Sequence, residues 1–348
     1  MAQTRIRCAI IGASGYTGAE LIRLLRSHPH ADIAALSANS HAGQHMQDVF
    51  PHLFYDTLPP LTTTEAINFD DIDVAFCCLP HATSQKIIAT LPKHLKIIDL
   101  SADFRLVDAE AYRHWYGEEH HAPALQAEAL YGLTEHYRTD LPNHRLIANP
   151  GCYPTCSLLP LLPLAKAGML EADPVIIDAK SGVSGAGRTI KQGMLYNEVS
   201  EGMTAYSVNH HRHMGELHQE LGLALGAQPS ITFVPHLIPQ KRGMVATIYA
   251  RLQSGYDINA ARAQLHQTYA NEPFVHLMPQ GNVPSTHSVR GSNHCLINIF
   301  AGSDARSIIL ISVIDNLMKG ASGQAVQNMN LLCGFPETEG LMGSALFP

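Results

Sequence analysis

Charge is scarce in this chain of 348 residues: Asp, Glu, Lys and Arg together make up 15%, against about 25% in an ordinary soluble protein. Hydrophobic residues stand near the globular norm at 46%. The shortage therefore falls on the surface, and it points to surface covered by a second subunit. What charge there is sums to −7, so there is no basic patch to hold nucleic acid or an anionic membrane. Long apolar runs are missing as well. The mid-chain stretch 157–165 contains Pro160 and Pro163 and falls far short of the roughly 20 residues a bilayer span needs. The opening residues 1–5 show no secretory pattern, which predicts a cytoplasmic protein. The seven cysteines (8, 77, 78, 152, 156, 295 and 333) include no C-x-x-C pair, which argues against a zinc ribbon or a thioredoxin-type dithiol. The 21 histidines lack acid or thiol partners at ligand spacing, so no metal site is expected.

The length predicts about two domains. In the first, short apolar runs alternate with helical spacing: 5–11 (RIRCAII), 33–36, 73–79 (DVAFCCL), 96–100 (KIIDL) and 145–148 read as strands. Residues 19–26 and 83–91 read as helices. That alternation is the signature of a parallel, doubly wound sheet. Residues 103–144 read as an irregular excursion from it. After residue 152 longer strands follow at 174–179, 230–235, 244–252 and 295–301, consistent with a more antiparallel α/β domain. The run 308–318 is apolar and helix-compatible. Residues 320–332 resume helical spacing and are expected to return to the first domain.

Four segments carry chemistry. Gly12, Gly15 and Gly18 follow the first strand, where glycines allow a pyrophosphate to approach a helix start. An ordinary tight turn has the same pattern. No carboxylate closes the second strand (36–43, LSANSHAG). Because an acid there would hold the ribose 2′-hydroxyl of NAD, its absence favours NADP(H). A second glycine-rich loop, 180–188 (KSGVSGAGR), suits a phosphate or carboxylate, or is simply a surface loop. The segment 149–155 (NPGCYPT) puts Cys152 after an apolar strand and a turn, at a helix start whose N–H groups favour a thiolate. Cys156, one turn on, reads as packing. In 210–216 (HHRHMGE) a histidine can hold the thiol ionised and later protonate an oxygen. Glu216 can orient the His213 ring or cap the helix starting there. Which of His211 and His213 addresses the sulfur stays open at this point.

Read together, GASGYTGAEL (12–21), DLSADFRL (99–106), YGLTE (131–135), NPGCYPT, SGVSGAGR (181–188), HRHMGE (211–216), FVPHLIP with RGM (233–239, 242–244) and KGASGQAVQNMNL (319–331) run nearly the length of the chain. In that order they resemble the N-acetyl-gamma-glutamyl-phosphate reductases of arginine biosynthesis. The resemblance implies an α/β protein with a Rossmann-type NADP-binding domain (1–148 and 319–348). It also implies a second α/β domain of the glyceraldehyde-3-phosphate dehydrogenase type (149–318), for catalysis and oligomerisation. It implies catalysis by Cys152 with His213 as base, and substrate contacts from His211, Arg105, Ser184 and Glu216. NADP(H) contacts fall to Gly12, Ser14, Gly15, Tyr16, Thr17, Gly18, Ser37, Ser40, Pro80, Ser181, Gly182 and Asn316. The implied partners are an acyl-phosphate substrate and three further copies of the chain, with no metal. Two departures stand out. The arginine many relatives carry after strand two is missing, which leaves Ser37, Ser40 or His41 for the 2′-phosphate. Gly215 stands where proline is frequent, which touches only local stiffness.

Neighbouring readings remain. Aspartate-semialdehyde dehydrogenases share the thioester logic with a different nucleophile motif, and an aminoadipyl homologue differs by one substrate methylene. A sensing protein that kept the fold without the chemistry is expected to lose Cys152 or its histidine. A thiol hydrolase needs no nucleotide loop.

Overall fold

Buried on both faces, a parallel strand needs no alternation, and the short apolar runs of the first half become such strands. They are β1 (Ile6–Ile11), β2 (Ala31–Ser37), β3 (Leu61–Thr62), β4 (Val74–Cys77), β5 (Lys96–Asp99), β6 (Ala129–Tyr131) and β7 (Leu146–Ala148). The sheet order is β3-β2-β1-β4-β5-β7-β6 with every pairing parallel. Ile11, Ala75, Cys77, Ile97 and Ala148 pack in its core with Phe104. Cys8 and Cys77 are fully buried, as expected of thiols used as small hydrophobes. The order reverses between β1 and β4, so the ends of these two strands open the crevice where doubly wound sheets take ligands. The excursion expected over 103–144 is only partly one: its strand β6 joins the sheet edge beside β7, and Ala109–Tyr116 is a helix.

The protein, a computed structural model describing residues 5–347, divides into two units: Met1–Pro150 with Ala321–Met342, and Gly151–Gly320 with Gly343–Pro348. Helix Gly323–Leu332 lies in the first unit, against the Tyr16–Arg26 helix. Ser322 Oγ donates to the Thr17 carbonyl at 2.9 Å, and Asn328 Nδ2 to the Gly132 carbonyl at 2.9 Å. The expectation that 319–348 belongs wholly with this unit differs from the structure at the tail. There Leu346 N–H donates to the Arg290 carbonyl, within the second unit.

The second unit has β8 (Val175–Gly182), β9 (Thr204–Ala205), β10 (Ile231–Ile238), β11 (Met244–Arg251), β12 (Val275–Leu277), β13 (Cys295–Ala301) and β14 (Ser307–Ile314). Their order is β12-β13-β14-β11-β8-β10-β9, with β8–β11–β14–β13 antiparallel throughout. Here the helical reading of 308–318 fails. Residues Ser307–Ile314 form a strand whose side chains alternate in burial up to Ser312, because two antiparallel neighbours bond it and its β-branched residues suit a pleated surface. Helix Cys152–Lys166 lies on β11 and β14, flanked by helices Met214–Leu225 and Ile258–Tyr269. It runs through Pro160 and Pro163. Pro163 has no N–H for the Leu159 carbonyl, and the Tyr269 hydroxyl donates to that oxygen instead.

Candidate active site

The cysteine motif folds as expected of a strand, a turn and a helix start. Strand β7 ends at Ala148, Gly151 is the N-cap at φ −69°, ψ 153°, and Cys152 is the first helical residue. Gly151 N–H donates to Glu216 Oε2 at 2.9 Å, and Thr155 N–H to the Gly151 carbonyl at 2.9 Å. Glu216 is fully buried in the first turn of helix Met214–Leu225. Its carboxylate therefore ties the cysteine turn to the histidine helix.

No side chain fits at Gly151. A Cβ there would lie 2.6 Å from His213 Nε2 and 2.8 Å from Glu216 Oε1. The imidazole thus rests on the backbone just before the nucleophile. Gly320 plays the same part on another side, where a Cβ would stand 2.8 Å from the Cys152 Cβ. The Cys152 thiol is half-buried, while Cys156 is buried. The Cys156 sulfur donates to the Ser312 carbonyl at 3.3 Å, and burial pushes that thiol well up. One turn apart on one helix, the first cysteine is accessible and the second is packing.

His211 and His213 stand side by side. Residues 211–213 form a turn, with His213 in the helical region at φ −66°, and the two rings meet edge to face at 4.6 Å. The turn is held from behind. Asn209 adopts φ 53°, a conformation asparagine tolerates better than most residues. Its side-chain oxygen accepts from Phe233 N–H at 2.9 Å, and its N–H donates to the Phe233 carbonyl at 3.1 Å. His211 Nδ1 accepts from the His213 N–H at 3.1 Å. Burial, and then the charge of Arg212, push the His211 imidazole down to about 4. At neutral pH it is uncharged with its proton on Nε2.

Tyr153 completes the cluster without having been assigned a role from the sequence. Its ring stands 5.5 Å from His211 and 6.0 Å from His213. Its hydroxyl donates to the His236 carbonyl at 3.2 Å and accepts from the Tyr206 hydroxyl at 3.1 Å. Burial pushes the Tyr206 hydroxyl up to about 12. Membership of NPGCYPT was the available signal for Tyr153; Tyr206, 53 residues away, had none.

The other candidates form separate groups. Asn316 is buried, its Oδ1 accepting from Gly243 N–H at 2.9 Å and its Nδ2 donating to Ser184 Oγ at 2.9 Å. It clasps the second glycine-rich loop. In that loop Ser181 is buried and donates to the Gly182 carbonyl at 3.0 Å, and Gly182 is pressed against Gln240 and Lys241 backbone.

In the first unit Gly12 has φ +85°, and a Cβ there would meet the Cys78 carbonyl oxygen at 2.4 Å. At Gly18 one would meet the Ala13 carbonyl oxygen at 2.5 Å. These glycines shape the turn, and Gly15 is different. It caps the Tyr16–Arg26 helix, and a Cβ there would meet nothing closer than 3.7 Å, so the space beside it is open. Ser14, Tyr16 and Thr17 adjoin it, and exposed Pro80 follows β4. Ser37 is buried, with its hydroxyl 3.1 Å from that of Thr64 and its carbonyl accepting from Gly12 and Ala13 N–H. It supports the loop from below, whereas Ser40 is exposed. Arg105 is buried, donating from Nε to the Asn149 carbonyl at 2.8 Å and from Nη2 to the Leu100 carbonyl at 3.0 Å. It anchors the strand end that feeds the cysteine motif. Asp103 was not foreseen. It is buried and accepts from Ala82, Ser84 and Gln85 N–H and from the Tyr112 hydroxyl.

With this geometry in hand, comparison with known proteins is direct. Two family models divide the chain, the NAD binding domain of semialdehyde dehydrogenase over residues 7–144 and its dimerisation domain over 152–316. Aspartate semialdehyde dehydrogenase II of Vibrio cholerae, solved with ASA, superposes with a TM-score of 0.71 at 16% identity, over 95% of this chain and 99% of that one. The enzyme of Candida albicans, solved with NADP, gives 0.69 at 16% identity over 95% and 99%. Fold and family models thus define a protein of the semialdehyde dehydrogenase class.

Within that class the sequence relatives are specific. The N-acetyl-gamma-glutamyl-phosphate reductase of Rhodospirillum rubrum is 52% identical over 349 residues, covering 99% of each chain. The probable chloroplastic N-acetyl-gamma-glutamyl-phosphate reductase of Arabidopsis thaliana is 50% identical over 343 residues, 99% of this chain and 86% of that protein. The chain belongs to the N-acetyl-gamma-glutamyl-phosphate reductase family.

Proposed function

We propose that this protein reduces N-acetyl-gamma-glutamyl phosphate to N-acetylglutamate 5-semialdehyde, releasing phosphate, with Cys152 as nucleophile and NADPH as reductant. The observation that carries this reading is the His213 imidazole resting on the turn that starts the Cys152 helix, with Glu216 bonded into the same turn. Cys152 sits where helix-start N–H groups favour negative charge. Its sulfur attacks the acyl carbon, phosphate leaves, and a thioester joins substrate to enzyme. NADPH, when bound, supplies the hydride that reduces this thioester. His213 gives its proton to the oxygen of the resulting thiohemiacetal, then takes one back as the C–S bond breaks and the thiolate returns. Neutral His211 holds substrate through Nε2–H, and Glu216 keeps the cysteine turn in register with His213.

The open space at Gly15, between the glycines that shape the loop, fits the pyrophosphate of a dinucleotide. Ser14, Tyr16, Thr17 and the exposed Ser40 complete the nucleotide surface, and the lack of an acid after β2 suits a 2′-phosphate. Ser181, Gly182, Ser184 and Asn316 form one bonded loop pair, in keeping with a second contact for nucleotide or substrate. Seven free cysteines suit a reducing compartment such as the cytoplasm. Among the described residues no helix is long and apolar enough to cross a membrane. The scarcity of charge, with Ile176 and Tyr249 partly exposed on the sheet of the second unit, supports a homotetramer. Light scattering at the mass of one chain would overturn that part.

Cys152→Ser tests the chemistry. The variant is expected to bind NADPH, form no thioester detectable by mass spectrometry, and lose nearly all reduction. Wild-type turnover by this variant would remove the assignment.

A further inference from the structure

A cavity of about 580 Å³ opens beside the histidine turn, lined by His211, Arg212, Tyr206, Lys191, Met194 and Leu237 among others. Its charge is unusual for a chain of net −7. Two cations line it, and among the described residues lining it there is no carboxylate. The charge of Arg212 is felt within it, lowering both the His211 imidazole and the Tyr206 hydroxyl, though in each case less than burial acts. His211 joins this cavity to the nucleophile. It is among the residues lining the cavity, and its ring meets that of His213, which rests on the Gly151 turn. The strained backbone at Ser207, φ 45°, also belongs to the wall, and strain of this kind is kept where a functional turn is over-determined.

We propose that this cavity is the subsite for the free carboxylate of the substrate, with Arg212 as the forked donor and Lys191 as a second, point-like charge. A planar guanidinium matches a carboxylate with two N–H bonds, whereas an ammonium serves as a mobile counter-charge. The uncharged His211 Nε2–H, in the same lining, donates without adding a third positive charge. The apolar surface of Leu237 and Met194 suits the methylenes or acyl cap that such a substrate carries. The enzyme would then measure its substrate from the carboxylate to the acyl phosphate. The inference rests on the acyl-phosphate reaction proposed above, but the subsite makes a claim of its own: the carboxylate is read by residues that take no part in bond making.

The test pairs two variants with two substrates. Arg212→Met and Lys191→Met are assayed on N-acetyl-gamma-glutamyl phosphate and on 4-acetamidobutyryl phosphate, which is the same molecule without the carboxylate. Each variant is expected to lose about ten- to a hundredfold in kcat/KM on the first, mainly through KM, as loss of a charge-assisted hydrogen bond predicts. The loss should be absent or slight on the second. Alkylation of Cys152 by iodoacetamide should keep its rate, which a collapse of the histidine turn would change. In parallel, calorimetry measures binding of N-acetylglutamate and 4-acetamidobutyrate, with no reaction required. Equal losses on both acyl phosphates, or unchanged preference for N-acetylglutamate in both variants, overturn the subsite. If the wild type reduces neither acyl phosphate, the proposed reaction falls. A preference for N-acetylglutamate that Arg212→Met abolishes would still uphold the subsite.

Discussion

Replacing Gly151 by alanine tests the central contact of the site with a single methyl group. The backbone there is extended, φ −69° and ψ 153°, so alanine brings no conformational strain, and a stiffer unfolded chain would by itself stabilise by about 0.4–1 kcal/mol. The cost is steric. The new Cβ would lie 2.6 Å from His213 Nε2, 2.8 Å from His213 Cε1 and 2.8 Å from Glu216 Oε1. Ordinary contact begins at 3.4 Å, so the ring must retreat by the better part of an ångström. Glu216 cannot yield as readily, being buried and bonded to the Gly151 N–H. Displacing a catalytic group by about 1 Å costs on the order of 10²-fold in rate, and overpacking costs about 1–3 kcal/mol of stability. The expected result is a kcat roughly 10²-fold lower with a modest fall in melting midpoint and unchanged NADPH affinity. Steady-state NADPH oxidation, with calorimetric melting alongside, measures all three. A folded Gly151→Ala enzyme with wild-type kcat would show that the imidazole against this turn does no chemistry.

The two histidines should separate kinetically: His213→Asn lowers kcat by roughly 10²–10⁴, and His211→Asn acts mainly on KM. The reverse pattern in steady-state kinetics would exchange their roles. His211 also makes stability depend on pH. Its folded value of about 4 lies below its ordinary 6.5, so the unfolded chain binds more protons between them. Stability is fully present above about 6.5 and falls as pH drops towards 4. Urea midpoints should show a shallower acid decline in His211→Asn, and an unchanged slope would contradict the burial argument. For the cofactor, kcat/KM should favour NADPH over NADH, and Ser40→Asp should shift preference towards NADH by repelling the 2′-phosphate. Equal use of both nucleotides by the wild type would refute the reading of the loop after β2.

Local sequence was enough for the parts of this protein that depend on near neighbours. The Gly12–Gly18 turn, the alternating strands and helices of the first unit, and the placement of Cys152 at a helix start all follow from patterns within a few residues. The strand at 307–314 was misread because an apolar run fits helix and strand equally well; its neighbours β11 and β13 decide, and they come from elsewhere in the chain. The same limit applies inside the site. The motif left open which histidine meets the sulfur, and the turn pinned by Asn209 to Phe233 sets both rings around Tyr153. Ser37 read as a phosphate contact until burial turned its hydroxyl to Thr64. Glu216 gained a partner, the Gly151 N–H, 65 residues away. Residue types and spacing therefore determined which chemistry this chain carries. Which side chain meets which was decided only by tertiary packing, because burial and hydrogen-bond partners are set by segments distant in sequence.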